Sequence, residues 1–283
     1  VIKMKIKQVI DILKEKTGAI DVDQKQTNDQ VIVGNPNQEV TAVVTTFMAT
    51  IDVIHYAIAK KANLIITHEP TWYNGRDDTS WLKDDFIYQK KEHLLLEHNI
   101  VVWRFHDYMH SAKKDQIYQG FEQALGWHDY NLAGNSLSLN PLEQAATCYQ
   151  IPKLEVRTLL AQLKEALNMK VIRYIGAEDA VVQRIGLLLG GSSLGLGDER
   201  NPMKLVQANH LDTVICGDIT EWTLSAYIRD ASMLGINKNM IILGHEKSEE
   251  IGMKNIVPWM KKHLPNLEIS FIDSEEPFRY FTN

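Results

Sequence analysis

A chain of 283 residues with 45% hydrophobic and 23% charged side chains has ordinary globular composition and enough length for one large domain or two smaller ones. Its 30 basic and 36 acidic residues leave a formal net charge of −6, which offers no electrostatic basis for non-specific binding to nucleic acid. Two cysteines, Cys148 and Cys216, with no CxxC pair, exclude a disulfide framework and a cysteine-rich zinc site, and they suit a reducing, cytoplasmic setting.

The first segment spaces Ile6, Val9, Ile10 and Leu13 at helical intervals with lysines between them. That pattern predicts an amphipathic helix stopped near Gly18, not a cleaved apolar leader. No run reaches the apolar length needed to span a bilayer, so a soluble protein is expected. Residues 39–50 are rich in β-branched side chains and read as a strand. Residues 51–62 have helical spacing, with Ile51, Ile54, Ile58 and Ala62 on one face, and 63–67 (NLIIT) read as a second, buried strand. Strand, helix and strand in this order predict a βαβ unit with parallel strands.

The alternation continues with a helix over 86–99 and a strand over 100–106. Residues 126–153 are richer in Asn, Gly and Ser, which predicts either a hairpin or a change of domain there. An amphipathic helix follows over 154–169. Strands are read at 170–176, 182–193, 210–218 and 239–245, then a helix over 249–264 interrupted at Pro258, and a last strand at 267–273. The chain is therefore α/β, in two lobes with mixed or parallel sheets.

In open α/β sheets ligands gather at the carboxyl ends of strands, and three such ends here carry imidazoles and carboxylates. His68 and Glu69 follow the strand at 63–67. His106, Asp107 and His110 follow the strand at 100–106, and His245, Glu246, Glu249 and Glu250 follow the strand at 239–245. Any one histidine could merely cap an element; three clusters at equivalent strand ends are harder to assign to capping. A mixed nitrogen and oxygen donor set suits zinc, iron or manganese better than calcium. His245 and Glu249 are spaced i, i+4, which puts both on one face of a helical turn, unless Ser248 caps a helix that starts after it. The stretch HEKSE lacks the second histidine of the HExxH motif.

Other motifs carry less. The glycine-rich stretch 185–199 is either a turn needing glycine for its φ angles or a backbone cradle for an anion. Ser192 and Ser193 lie in no GxSxG elbow. Cys148 and Cys216 read as buried fillers rather than nucleophiles. Trp72, Trp103, Trp222 and Trp259 read mostly as core, with Trp72 a candidate pocket wall.

Taken in order, EVTAVVTTFMATIDVIHYAIAKKANLIITHEP, FHDYMH, RIGLLLGGSS, DTVICGDITEW, ILGHEKSEE and IDSEEPFRYF resemble the motifs of the Nif-three-like family, whose members are also called type-two GTP cyclohydrolases. The resemblance covers nearly the whole chain. It implies a two-domain α/β protein with a dinuclear metal centre, assembled as a homo-oligomeric ring, a hexamer. Carried over position by position, it implies His68, Glu69, His110, His245 and Glu249 as ligands of two divalent transition metal ions. His106, at the histidine of the family's HTxxD element, is either a ligand or a support for one.

Two positions depart from the pattern. Glu69 stands where the family's HHP has its second histidine, and His110 stands where HTxxD has its aspartate. The exchange keeps three imidazoles and two carboxylates, with Asp107 the other candidate for the carboxylate at the first strand ends. The histidine that closes TGDxxxH is absent, Trp222 following Glu221. The leading expectation is a metal-dependent hydrolase that attacks a small, nucleotide-like substrate with metal-activated water, Glu221 or Asp107 moving protons. The competing expectation is a non-enzymatic metal-binding regulatory, chaperone or scaffold ring. Because the last elements carry ligands, 1–126 and 217–283 are expected to form the metal-binding domain, with 127–216 inserted.

Overall fold

Helix α1 (Ile6–Thr17) buries Ile6, Val9, Ile10 and Leu13, the face that the spacing predicts, and Gly18 ends it in the left-handed conformation. A short strand, β1 (Val31–Val33), precedes the βαβ unit, which consists of β2 (Val43–Thr46), α2 (Ile51–Ala59) and β3 (Leu64–Thr67). Thr50 caps α2 by accepting the Val53 amide. Helix α3 (Phe86–Glu97) is capped in the same way by Asp85 and leads into β4 (Val101–Arg104). The two short helices α4 (Asp107–His110) and α5 (Gln116–Leu125) follow.

After a 3-10 turn at His128–Tyr130 come β5 (Cys148–Glu155), α6 (Val156–Ala166), β6 (Arg173–Ile175) and β7 (Val181–Leu188). The chain continues through α7 (Asn201–Ala208), β8 (Thr213–Cys216), α8 (Leu224–Met233), β9 (Asn239–Ile242), α9 (His245–His263) and β10 (Ile269–Phe271). The computed structural model describes residues 3–133 and 147–281. Residues 134–146 of the Asn- and Ser-rich stretch, where a hairpin or domain change is expected, lie outside the described residues. The part that is described brings Asn131 into a bridge with Tyr149.

The chain divides into two units, Val1–Gly120 with Gly252–Ser274, and Phe121–Ile251 with Glu275–Asn283. The first contains a mixed sheet in the order β1-β4-β3-β2-β10, in which β10, β2, β3 and β4 run parallel and β1 is antiparallel. Val44, Ile54, Ile65, Leu95 and Val102 pack in its core. Burying an Ile or Leu there stabilises the unit by about 1.5–3 kcal/mol. The second contains a mixed sheet in the order β5-β7-β8-β9-β6, with β7, β8 and β9 parallel and both edges antiparallel. Leu205, Val214, Ile228 and Met240 pack in its core.

Several details differ from expectation. Residues 217–251 group with the second unit, not the first, because β8 and β9 pair alongside β7. Ile51 opens α2 and is 44% exposed, so the buried stripe starts at Val53 and Ile54. Helix α9 begins at His245 and runs through Pro258 without a break. Pro258 and Lys254 are both exposed, so water can serve the carbonyl that the missing proline N–H leaves unbonded. Trp222 is 74% exposed instead of core, while Trp72 and Trp103 are buried. Both cysteines are buried, and burial pushes the Cys148 thiol up to about 11 and that of Cys216 higher still. Neither has thiolate character.

Candidate metal sites

Strand register brings the first cluster together. Thr67 pairs with Arg104 across the parallel strands β3 and β4, so His68 and Glu69 leave one strand beside Phe105 and His106 leaving the next. His68 is fully buried. Its Nδ1 lies 3.1 Å from the Phe105 carbonyl, an atom that only accepts, so Nδ1 carries the proton and Nε2 keeps a lone pair. His110 has Nδ1 2.7 Å from Asp115 Oδ2, and His106 has Nδ1 2.8 Å from Asp107 Oδ1. In each case the carboxylate oxygen accepts, so Nδ1 keeps its proton and donates it.

All three imidazoles are thus held by Nδ1, which leaves Nε2 of each for a ligand. Nε2 of His68 and Nε2 of His110 face one another at 3.1 Å. The His68 and His106 rings stack with centroids 4.5 Å apart, and the His106 and His110 centroids are 4.6 Å apart. One donor atom from each residue falls within 4.8 Å of the others. Lone pairs facing at this distance repel unless a proton or a cation lies between them. Metal-bound histidines characteristically have the other nitrogen donated to a carbonyl or carboxylate. The donor set fits a divalent transition metal. Burial, then the neighbouring His106, His110 and Arg104 charges, push the His68 pKa well below the usual 6.5. The imidazole is therefore neutral, the form that binds metal.

The segment before β1 holds this cluster in place. Asp29, buried, accepts the backbone N–H groups of His106, Asp107 and Tyr108 at 2.8–2.9 Å, which fixes the start of α4. Burial raises the Asp29 pKa against the lowering effect of those three donors. Asp107 Oδ2 accepts from Thr27 Oγ1 and the Asn28 amide, both at 2.7 Å. Burial pushes its carboxyl up, but the bonds from His106, Thr27 and Asn28 outweigh it and hold the group ionised, well below the ordinary carboxylate range. With one oxygen on His106 and the other on residues 27–28, Asp107 orients an imidazole.

Glu69 does not point away into solvent. Its Oε2 lies 3.1 Å from Arg104 Nη2, and its Oε1 lies 3.6 Å from His106 Nε2. Arg104, buried on β4, also donates from Nε to the His68 carbonyl and from Nη1 to the Gly75 carbonyl.

The second unit repeats the logic at its own strand ends. Leu188, Cys216 and Ile242 are in register across β7, β8 and β9, so Gly190, Asp218 and His245 emerge side by side. His245 Nδ1 lies 2.7 Å from Asp218 Oδ2. Its Nε2 lies 3.0 Å from Glu249 Oε2 one turn along α9, again a lone pair opposite an acceptor. Gly190, at φ +55°, comes so close that an added Cβ would stand 2.1 Å from Glu249 Oε1. Its amide donates to Ser248 Oγ, which in turn donates to the His245 carbonyl. Ser248 therefore ties the glycine turn to α9 and does not cap a later helix. At Gly190, the anion-cradle reading loses its amide to that serine.

Of the residues singled out from sequence, His68, Glu69, His106, Asp107 and His110 meet in the first unit, and His245 and Glu249 meet in the second. Glu221 is exposed, three residues beyond Asp218. Sequence reasoning missed Asp29, Arg104, Asp115, Asp218 and Gly190 as parts of these sites. Asp218 is the aspartate of the TGDxxxH-like stretch. Asp115 stands just before an amphipathic helix and accepts the amides of Ile117 and Tyr118, so it was legible as a cap but not as a partner of His110.

A family model described as Duf34/NIF3 (NGG1p interacting factor 3) matches residues 4–277. The chain belongs to this family. Among curated relatives, the GTP cyclohydrolase 1 type 2 homolog of Clostridium acetobutylicum is 25% identical over 256 residues, covering 87% of this chain and 90% of the relative. That of Clostridium perfringens is 24% identical over 284 residues, covering 98% and 100%. Among solved structures, the Staphylococcus aureus protein SA1388 superposes with a TM-score of 0.70 at 21% identity, covering 99% of this chain and 100% of that one. A Bacillus cereus protein related to NIF3 gives 0.69 at 15% identity, with coverage of 99% and 100%. These structures share the fold. No helix among the described residues of this chain is long and apolar enough to cross a membrane.

Proposed function

We propose that this NIF3-family chain binds two divalent transition metal ions, zinc, iron or manganese, and uses them to hydrolyse a small nucleotide-like molecule. His68, His106 and His110 with Glu69 would hold one ion, and His245 with Glu249 the other. The observation that carries this reading is the commitment of Nδ1 in His68, His106 and His110 to an acceptor, with their Nε2 atoms left to converge. Such an ion supplies Lewis acidity, which makes a water acidic enough to attack near neutral pH.

The chain's own residues divide the remaining work. Asp107, Asp115 and Asp218 set the tautomers of His106, His110 and His245. Glu69 and Glu249 supply negative charge beside the imidazoles. Glu221, unengaged by these networks and exposed, is the group proposed to move protons. The names of the curated relatives support GTP as the first substrate to try.

Elemental analysis of purified protein tests the metals: about two ions per chain are expected, with one lost in His68→Ala and the other in His245→Ala. Unchanged content in both variants would refute the sites. Incubating metal-loaded protein with GTP, phosphoesters and cyclic amides tests turnover, and no metal-dependent product from any of them would remove the hydrolase reading for those classes. The exposed Trp222, where the family's motif ends in histidine, favours a second reading as a non-enzymatic metal-binding ring. A homo-oligomeric ring, a hexamer in the cytoplasm, is proposed under either reading and is checked by native mass spectrometry.

A further inference from the structure

Arg104 is an unusual neighbour for a cation site. Its side chain is 4% exposed and its donors are distributed over three acceptors: Nε to the His68 carbonyl at 3.1 Å, Nη1 to the Gly75 carbonyl at 2.7 Å, and Nη2 to Glu69 Oε2 at 3.1 Å. Asp77 Oδ2 stands 3.9 Å from Nη1. The loop that presents Gly75 and Asp77 is itself fastened. Asp77 Oδ1 accepts the Thr71 and Trp72 amides at 2.7 Å each, and the buried Lys91 donates to the Thr71 carbonyl at 3.0 Å. A planar fork held on several edges has little freedom to swing away.

The consequence falls on Glu69. A carboxylate can offer a cation one oxygen or both. Here Oε2 is taken up by Arg104, and Oε1 is the oxygen on the His106 side. The guanidinium also offsets the carboxylate's charge. The three imidazoles, joined on the His106 side by one charge-balanced oxygen, would form a nitrogen-dominated donor set, which favours Zn2+ or Fe2+ over ions that prefer several oxygens, such as Mg2+ and Mn2+.

We propose that Arg104 is a positioning residue that confines Glu69 to single-oxygen donation and thereby biases the three-imidazole site toward nitrogen-preferring metal ions. This rests on the metal reading of His68, His106 and His110. Arg104 acts through Glu69, so the two residues should be coupled.

The test is a double-mutant cycle on the intact chain, in a His245→Ala background so that the first-unit site alone is read. Four proteins are compared: the parent, Arg104→Met, Glu69→Gln and the double variant. Each is loaded with Co2+, whose visible absorption reports coordination number, and titrated with Zn2+ and Mn2+. In Arg104→Met, Glu69 is released to use both oxygens. The cobalt bands should weaken as coordination number rises, and the Zn2+ to Mn2+ affinity ratio should fall about tenfold or more, the scale typical for a lost partner of a metal ligand. In the Glu69→Gln background the same Arg104→Met change should have little effect on either readout.

An equal effect of Arg104→Met with and without Glu69 would show a merely structural role and overturn the proposal. An unchanged spectrum and ratio in Arg104→Met would do the same. If the parent binds no metal that His68→Ala abolishes, the metal reading itself fails and takes this inference with it, a distinguishable result. Should Arg104→Met not fold by circular dichroism, Arg104→Lys replaces it: it keeps the charge, loses the fork, and is expected to shift both readouts in the same direction.

Discussion

Replacing Gly190 by alanine separates the backbone's requirement from the site's. Gly190 sits at φ +55° immediately after β7, where an L side chain costs about 1–2 kcal/mol. The new Cβ would lie 2.1 Å from Glu249 Oε1, 2.5 Å from its Cδ and 2.9 Å from His245 Nε2. Two of these atoms belong to the far end of a flexible side chain, so Glu249 can move aside at about 0.5–1.5 kcal/mol of rotamer strain. Retreat by the backbone is opposed by the hydrogen bond that the Gly190 carbonyl accepts from the Asp218 amide at 2.9 Å. Together these effects predict a loss of about 1.5–3.5 kcal/mol in stability.

The effect on the site should exceed the effect on the fold, because the group displaced is Glu249 and the atom crowded is the Nε2 of His245. Urea unfolding of Gly190→Ala and wild type measures the first effect. Metal content measures the second, expected to fall from the proposed two ions per chain to about one. Gly191→Ala is the control: nothing lies within 4 Å of its Cβ position, so it should change stability by no more than about 0.5 kcal/mol and retain both ions. Equal stability and equal metal content in the two variants would refute the argument that Gly190 is glycine to admit Glu249 and His245.

Three further predictions follow from the geometry. Asp115→Asn removes the carboxylate that fixes the His110 tautomer, and isothermal titration should show metal affinity at the first-unit set reduced about 10- to 100-fold. Lys91, buried, has its pKa lowered from 10.5 to about 8 by burial, with the Asp77 charge opposing that. Between those values the unfolded chain binds the extra proton, so stability should rise as pH increases from about 8 to about 10.5, by about 3 kcal/mol, and Lys91→Met should abolish that rise in urea titrations. Asp29→Ala leaves the amides of His106, Asp107 and Tyr108 without their acceptor. It should cost about 2–4 kcal/mol, with amide hydrogen exchange accelerated across α4; unaltered protection there would contradict the anchoring role.

Much of this chain is readable without coordinates because its local rules agree with one another. The helical spacing of Ile6, Val9, Ile10 and Leu13, the β-branched run before Thr46 and the apolar run LIIT ending at Thr67 each satisfy one local rule and become the predicted element. The histidines were visible because an imidazole directly after a buried strand is placed where parallel sheets bind ligands. Edge strand β1 and the helices α4, α5, α7 and α8 escaped; β1, α4 and α7 have three to eight residues and carry too little periodicity, whereas α5 and α8 are ten residues long and were overlooked. Ile51 and Trp222 were misjudged because an apolar side chain at an element's first turn or in a loop has no periodicity to report its exposure.

The sequence by itself determined the α/β class, the family resemblance and the candidate ligands, since strand ends and their polar residues are local features. Only the tertiary structure decided which proton each imidazole keeps. That depends on partners far along the chain or across a turn: Phe105 for His68, Asp115 for His110, Asp218 for His245. The same holds for Glu69, which sequence could propose as a donor but whose Oε2 is claimed by Arg104, thirty-five residues away. Register decided the assignment of 217–251 to the second unit as well, because strand pairing is a contact between distant segments and leaves no mark on the local pattern of either.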